Sequence, residues 1–218
     1  MNDAFINING EQVQSLEMIL MITVLSLLPS IIIMMTSFTR IIIVMSFLRN
    51  ALGMQQTPPN TVLVGIALFL TLFIMSPVLS QVNEQAYVPY KNQEITGQEA
   101  MDRAAVPMKT FMLKQTEMDT LEMFMDFSGE ELSESYEELP LTVIIPSFMT
   151  SELKRAFIIG FLLFLPFLLI DIVVSSTLMS MGMIMLPPAM ISLPFKILLF
   201  ITVNGWQLLF STLIKGFN

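Results

Sequence analysis

The sequence predicts an all-α membrane protein: two long, proline-kinked helical hairpins, about four apolar segments in all, around a small helical insert on the extracytoplasmic side. Three observations predict it. Hydrophobic residues make up 54% of the 218 and charged residues only 13%, where ordinary soluble domains carry roughly 25% charged. The apolar residues gather in runs near the length of ~20 that a helix needs to cross a bilayer. The acids are concentrated in one place: fourteen Asp or Glu and four Lys or Arg lie between Gln81 and Glu152. The net charge of −8 therefore belongs mostly to the insert.

The first hairpin takes residues 1–80. Its first apolar segment runs from about Met18 to Leu48, too long for one upright span. Pro29 lies inside it and removes a backbone donor, so a kink is expected there. No basic run precedes this segment, since the leader carries Asp3, Glu11 and Glu17 and no Lys or Arg; a cleaved signal peptide needs one, so the segment is expected to be retained. Pro58 and Pro59 then break the chain, and a second segment runs from about Thr61 to Ser80.

The insert covers residues 81–150. Met108, Phe111, Met112 and Met118 recur near a spacing of three to four, which predicts amphipathic helix. Ser128-Gly129 and the acids that follow predict a solvated loop. The second hairpin takes residues 151–218, with segments from about Ala156 to Met181 and Ile191 to Ile214. Pro187 and Pro188 separate them. The Lys/Arg bias places both hairpin turns on the cytoplasmic side, although Lys154 and Arg155 oppose that assignment.

No His and no Cys occur. Thiolate nucleophiles, zinc sites and the usual general base are thereby excluded, no catalytic motif replaces them, and no cofactor or metal is implied. A basic footprint for nucleic acid is also absent.

Several charges are out of place in apolar segments: Arg40, Asp171, Lys196 and the group Glu152, Lys154, Arg155. A charge at mid-bilayer costs on the order of 2.5–3.5 kcal/mol on insertion scales. Such residues are expected to meet a subunit contact or line a water-filled path, so the chain is expected to work as a multimer around a pore. A relay through Arg40, Asp171 and Lys196, as in a small-solute or proton transporter, is the alternative. Twenty residues are Met. Met179, Met181, Met183 and Met185 alternate across Gly182, where a breaker interrupts the helix. Flexible, polarizable side chains at such a break suit an apolar constriction that yields to a passing chain.

Four separated blocks carry a family resemblance. Met35-Thr36-Ser37-Phe38-Thr39-Arg40 through Gln56-Thr57-Pro58-Pro59-Asn60 resembles the first block of the FliP family. Pro146-Ser147-Phe148-Met149-Thr150-Ser151-Glu152-Leu153-Lys154-Arg155 resembles the second. Leu178 to Met185 resembles the third, and Leu193-Pro194-Phe195-Lys196 through Asn204-Gly205-Trp206 the fourth. The resemblance covers about Leu28 to Leu209. It implies a subunit of the flagellar type III protein export gate, not an enzyme, in the cytoplasmic membrane at the basal body. It also implies assembly as a homo-oligomer with FliQ and FliR, beside FlhB, FlhA and other basal-body proteins, with unfolded flagellar subunits as cargo. The homologous subunit of a virulence injectisome shares this plan. The positions matching the family's methionine seal are Met183, Ile184 and Met185, with Ile184 standing where Met is usual. Ser147 for a common Ala and Asn204 for a common Asp are further departures.

Overall fold

A computed structural model describes residues 14–130, 135–183 and 186–217. Among them every regular element is a helix: α1 (Gln14–Met34), α2 (Phe38–Ala51), α3 (Asn60–Val82), α4 (Val88–Lys91), α5 (Gly97–Gln115), α6 (Met118–Ser128), α7 (Leu141–Ser180), α8 (Pro188–Thr202) and α9 (Gly205–Lys215). Helix α3 continues through a π-helical turn at Asn83–Tyr87 into α4, giving one rod from Asn60 to Lys91. Pro89 follows that turn and has no N–H to return to it, so the backbone widens there.

Proline starts helices here more visibly than it bends them. Pro59, Pro140 and Pro187 are the residues preceding α3, α7 and α8, and Pro188 is the first residue of α8. A helix start leaves its first N–H groups unpaired, so a residue without one fits. Pro29, where a kink was expected, lies inside α1. The 70° bend in the first apolar segment falls later, between Met34 and Phe38. There the Thr36 hydroxyl donates to the carbonyl of Ile33 at 2.7 Å and accepts from the Phe38 N–H at 3.3 Å, closing a tight local turn. Local side-chain hydrogen bonds of this kind compete with the helical ladder.

By length and composition, two helices among the described residues can cross a membrane, Asn60–Lys91 and Leu141–Ser180, or four if each bent pair, α1–α2 and α8–α9, is one span. The chain is thus an all-α membrane protein. Helix α7 has 40 residues, a length of about 60 Å at 1.5 Å per residue. It runs unbroken through residues 150 and 151, where the sequence suggests the insert ends.

Helix α2 is the centre of the fold. Ile41, Val44, Met45, Leu48 and Ala51 are buried in one cluster with Leu63 and Ala67 of α3, Ala156 and Phe167 of α7, Phe200 of α8 and Leu209 and Leu213 of α9. Gly160 makes this packing possible, since a Cβ there would come within 2.5 Å of the Phe47 ring. A second cluster joins Met75 of α3, Phe111 and Met112 of α5, Leu121 and Met125 of α6, Phe148 of α7 and Phe217. The insert is therefore welded to the ends of the long helices through a shared core. The outside of the molecule stays apolar: Met18 to Ile22 on α1 and Phe157, Phe161, Ile172 and Met179 on α7 are all exposed.

Candidate functional site

Three places gather the residues that the sequence singles out. The first surrounds Arg40, in the first turn of α2. Its Nε donates to Glu152 Oε2 at 2.8 Å, and an Nη donates to the other carboxylate oxygen of the same residue. This two-pronged geometry matches a guanidinium to a carboxylate. The remaining donors reach the carbonyl of Gly216 at 3.1 Å and Gln115 Oε1 at 3.1 Å. The Phe217 ring lies 3.7 Å below the guanidinium carbon, a cation–π contact. Arg40 and Glu152 are 2% and 0% exposed, so the pair is sealed inside the chain. Four segments distant in sequence meet there: α2, α5, α7 and the stretch after α9.

Gln115 organises this centre. Its Oε1 accepts from Arg40 and also from Arg155 at 2.9 Å, and its Nε2 donates to the Phe217 carbonyl at 3.2 Å. Neither Gln115 nor Phe217 stands out in the sequence. A neutral amide in a polar insert carries no signal, and a Phe beyond the last apolar run is unremarkable in a chain with seventeen.

The second place is built on Asp171. Its Oδ2 accepts from Lys196 Nζ at 2.6 Å and its Oδ1 from the Ser192 hydroxyl at 2.6 Å. Lys196 is 4% exposed and also donates to the carbonyl of Ala51, the last residue of α2, at 3.1 Å. A helix end leaves its final carbonyls unpaired and partially negative; the ammonium meets both needs. Arg40 and Asp171 belong to different centres, and each is satisfied by its own partner.

Lys154 and Glu152 part company. Glu152 turns inward to Arg40, while Lys154 faces solvent and pairs with Glu117 at 2.6 Å. They are two residues apart on a helix, so they point to different faces.

The third place is the end of α7. The N–H of Gly182 bonds to the carbonyl of Met179 at 3.0 Å and that of Met183 to Leu178 at 3.0 Å. Gly182 has φ +74°. This is the paired closure that terminates helices with a left-handed residue, a conformation that glycine adopts without penalty. Met179, Met181 and Met183 project from this end at 66%, 71% and 42% exposure. Ile184 and Met185 lie outside the described residues. Among the described residues no three His, Cys, Asp or Glu side chains gather in a way that could hold a metal ion.

The model of the FliP family matches residues 21–213. The chain belongs to the FliP family. Among its relatives, the flagellar biosynthetic protein FliP of Bacillus subtilis (strain 168) is 51% identical over 218 residues, covering 98% of this chain and 99% of the relative. That of Pectobacterium carotovorum subsp. carotovorum is 51% identical over 203 residues, 93% of this chain and 79% of the relative. That of Aquifex aeolicus (strain VF5) is 48% identical over 212 residues, 96% and 88%. Arg40, Glu152, Asp171, Gly182 and Lys196 all fall inside the span matched to the FliP family, so each of the three places is anchored in it.

Proposed function

We propose that this chain is a wall-forming subunit of the flagellar type III export gate, passing unfolded flagellar subunits across the cytoplasmic membrane at the basal body. It works as a homo-oligomer with FliQ and FliR, next to FlhB and FlhA, and catalyses no reaction itself. Family membership makes it a component of flagellar biosynthesis and export. One observation supports the finer reading most: the chain satisfies its costly charges internally yet leaves whole helical faces apolar and bare. Arg40 and Lys196 are buried with partners, so they do not need a neighbour. The apolar faces of α1 and α7 are what remains to be covered, by lipid or by neighbouring subunits.

The methionine-bearing end of α7 supplies the constriction in this reading. Several copies arranged about an axis bring Met183, Ile184 and Met185 together as an apolar ring. Such a ring excludes water and ions at rest, and unbranched side chains fold aside when a polypeptide enters. The transporter alternative is the weaker reading, since Arg40 and Asp171 sit in separate centres, each with its own partner.

The test is conductance of the assembled gate. Met183→Ala together with Met185→Ala widens the seal and lets ions leak across membranes that hold the complex. The same complex extracted in detergent shows several copies of this chain by native mass measurement. Single copies in the extract, or unchanged conductance in the assembled double variant, overturn the proposal.

A further inference from the structure

The core cluster around α2 has an open flank. A pocket of about 380 Å³ lies between α2, α7, α8 and α9. Its floor is Leu48 of α2, Phe167 of α7, Phe200 of α8 and Leu209 and Leu213 of α9, all buried members of that cluster. Val203 and Leu208 form its rim, at 50% and 61% exposure, so it opens to the surroundings. The bend between α8 and α9 shapes this space. The two helices turn by 62° at Val203 and Asn204, where Asn204 takes φ +51°, a left-handed conformation that Asn tolerates better than most residues. Gly205 follows, and a Cβ there would fall within 2.1 Å of the Phe200 ring. Residues before, within and after the bend line the pocket: Phe200, Val203, Gly205 and Leu209.

The lining gives the occupant its class. Among the described residues no charged side chain lines the pocket, and its one hydroxyl, that of Thr212, already donates to the Leu208 carbonyl at 2.8 Å. A polar ligand would leave its groups unpaired there. An apolar cavity of about 150 Å³ stays dry and binds benzene, and this pocket is more than twice that size. The helices that wall it, α7 and the bent pair α8–α9, are apolar enough to cross a membrane, so its mouth meets lipid chains without passage through water. A partner's helix is too bulky to enter. One helical turn, about 10 Å across and 5.4 Å high, fills about 420 Å³, more than the whole pocket. A flexible hydrocarbon chain has no such limit. We propose that the pocket binds one acyl chain of a membrane phospholipid, recognised by its hydrocarbon and not by its headgroup.

Trp206, the chain's single tryptophan, is a built-in reporter, since its ring meets the Phe200 ring edge-on with centroids 5.2 Å apart. The full chain is purified in a steroid-based detergent, which has no flexible tail. It is titrated with phosphatidylcholine or phosphatidylglycerol brominated at mid-chain, a contact quencher of indole. Trp206 fluorescence falls in a saturable phase that ends near one lipid per chain, equally with both headgroups, and binding raises the unfolding temperature. Leu163→Phe and Thr212→Phe, made separately, push a ring into the space from α7 and from α9. The saturable phase is lost in each while unfolding stays cooperative, and Thr212→Val, which leaves the volume unchanged, keeps it. A linear fall without saturation, or an unchanged saturable phase in the two filled variants, overturns the proposal. Saturation with one headgroup alone overturns the hydrocarbon as the feature recognised. The chain has no Cys, so Thr212→Cys supplies a unique thiol for a photocrosslinker in the complex extracted from membranes. Lipid is the expected adduct; capture of a neighbouring chain in its place makes the pocket a subunit contact and overturns the lipid as occupant.

Discussion

Arg40 shows what one residue can impose on a membrane fold. A guanidinium at 2% exposure is tolerable only because its donors are used: two on Glu152, one on Gly216 and one on Gln115. Desolvating two ions is costly, and their attraction repays it only with good geometry and further hydrogen bonds. Removing one partner is then far worse than removing both. Glu152→Gln leaves an uncompensated buried cation and destabilises the chain by about 3–5 kcal/mol, read from denaturant or thermal unfolding in detergent. Arg40→Met combined with Glu152→Leu costs less than either single change. Equal losses from the single and the double variants would contradict this account. The sequence makes Arg40, Asp171 and Lys196 conspicuous, because charges interrupt apolar runs there. Their pairing is not legible, since Arg40 and Glu152 are 112 positions apart and nothing local favours one acid over another. Arg40 and Lys196 find carboxylate partners within the chain, which periodicity could not show: it reveals a cost and not who meets it.

At the scale of elements, α2 is pinned to α7 at both ends. Its first turn meets Glu152 through Arg40, Phe47 meets Phe157 with ring centroids 5.3 Å apart, and its last carbonyl meets Asp171 by way of Lys196. These contacts advance together along both helices, so α2 and α7 run in the same direction. Two fixed points set register as well as contact. Lys196→Met frees the Ala51 carbonyl and strips Asp171 of its cation, costing about 1.5–3 kcal/mol for the lost charged hydrogen bonds. Crosslinking between cysteines placed at Phe47 and Phe157 then falls, while crosslinking at the Arg40 end persists. Loss at both ends would mean that the ion pair does not act as a separate pin. The apolar segments and their approximate spans are visible in the sequence, because run length reports them. The bend between α1 and α2 is not. Proline draws attention to Pro29, but the break is made by the short Thr36 hydroxyl, a weak and common signal.

Across the whole molecule, the insert and the long helices share one core. Phe217 closes it: the ring stacks against Phe111 of α5 at 6.2 Å and lies under Arg40 of α2, while its carbonyl holds Gln115. Phe217→Ala is expected to cost about 3–5 kcal/mol, the usual loss for emptying a buried aromatic site. Its signature is regional, with residues 97–128 becoming open to protease before the long helices do. Simultaneous opening of both would show that the core is a single cooperative unit. Composition separates acidic insert from apolar hairpins, and that contrast conceals the junction, because the joining residues are a handful of Phe, Met and one Gln spread over the chain.

The length of α7 bears on how the cell must handle this chain. A hydrocarbon layer is ~30 Å thick, about half of what forty helical residues span; the start of α7 packs in the insert core, and apolar side chains are bare from Leu153 to Met179. Neither lipid nor water alone is a good solvent for such a rod, so a copy made in excess of its neighbours has nowhere to rest. Under the proposed assembly, balanced synthesis of the neighbouring chains becomes a condition for the fold to persist, and surplus copies are expected to be cleared by membrane proteases.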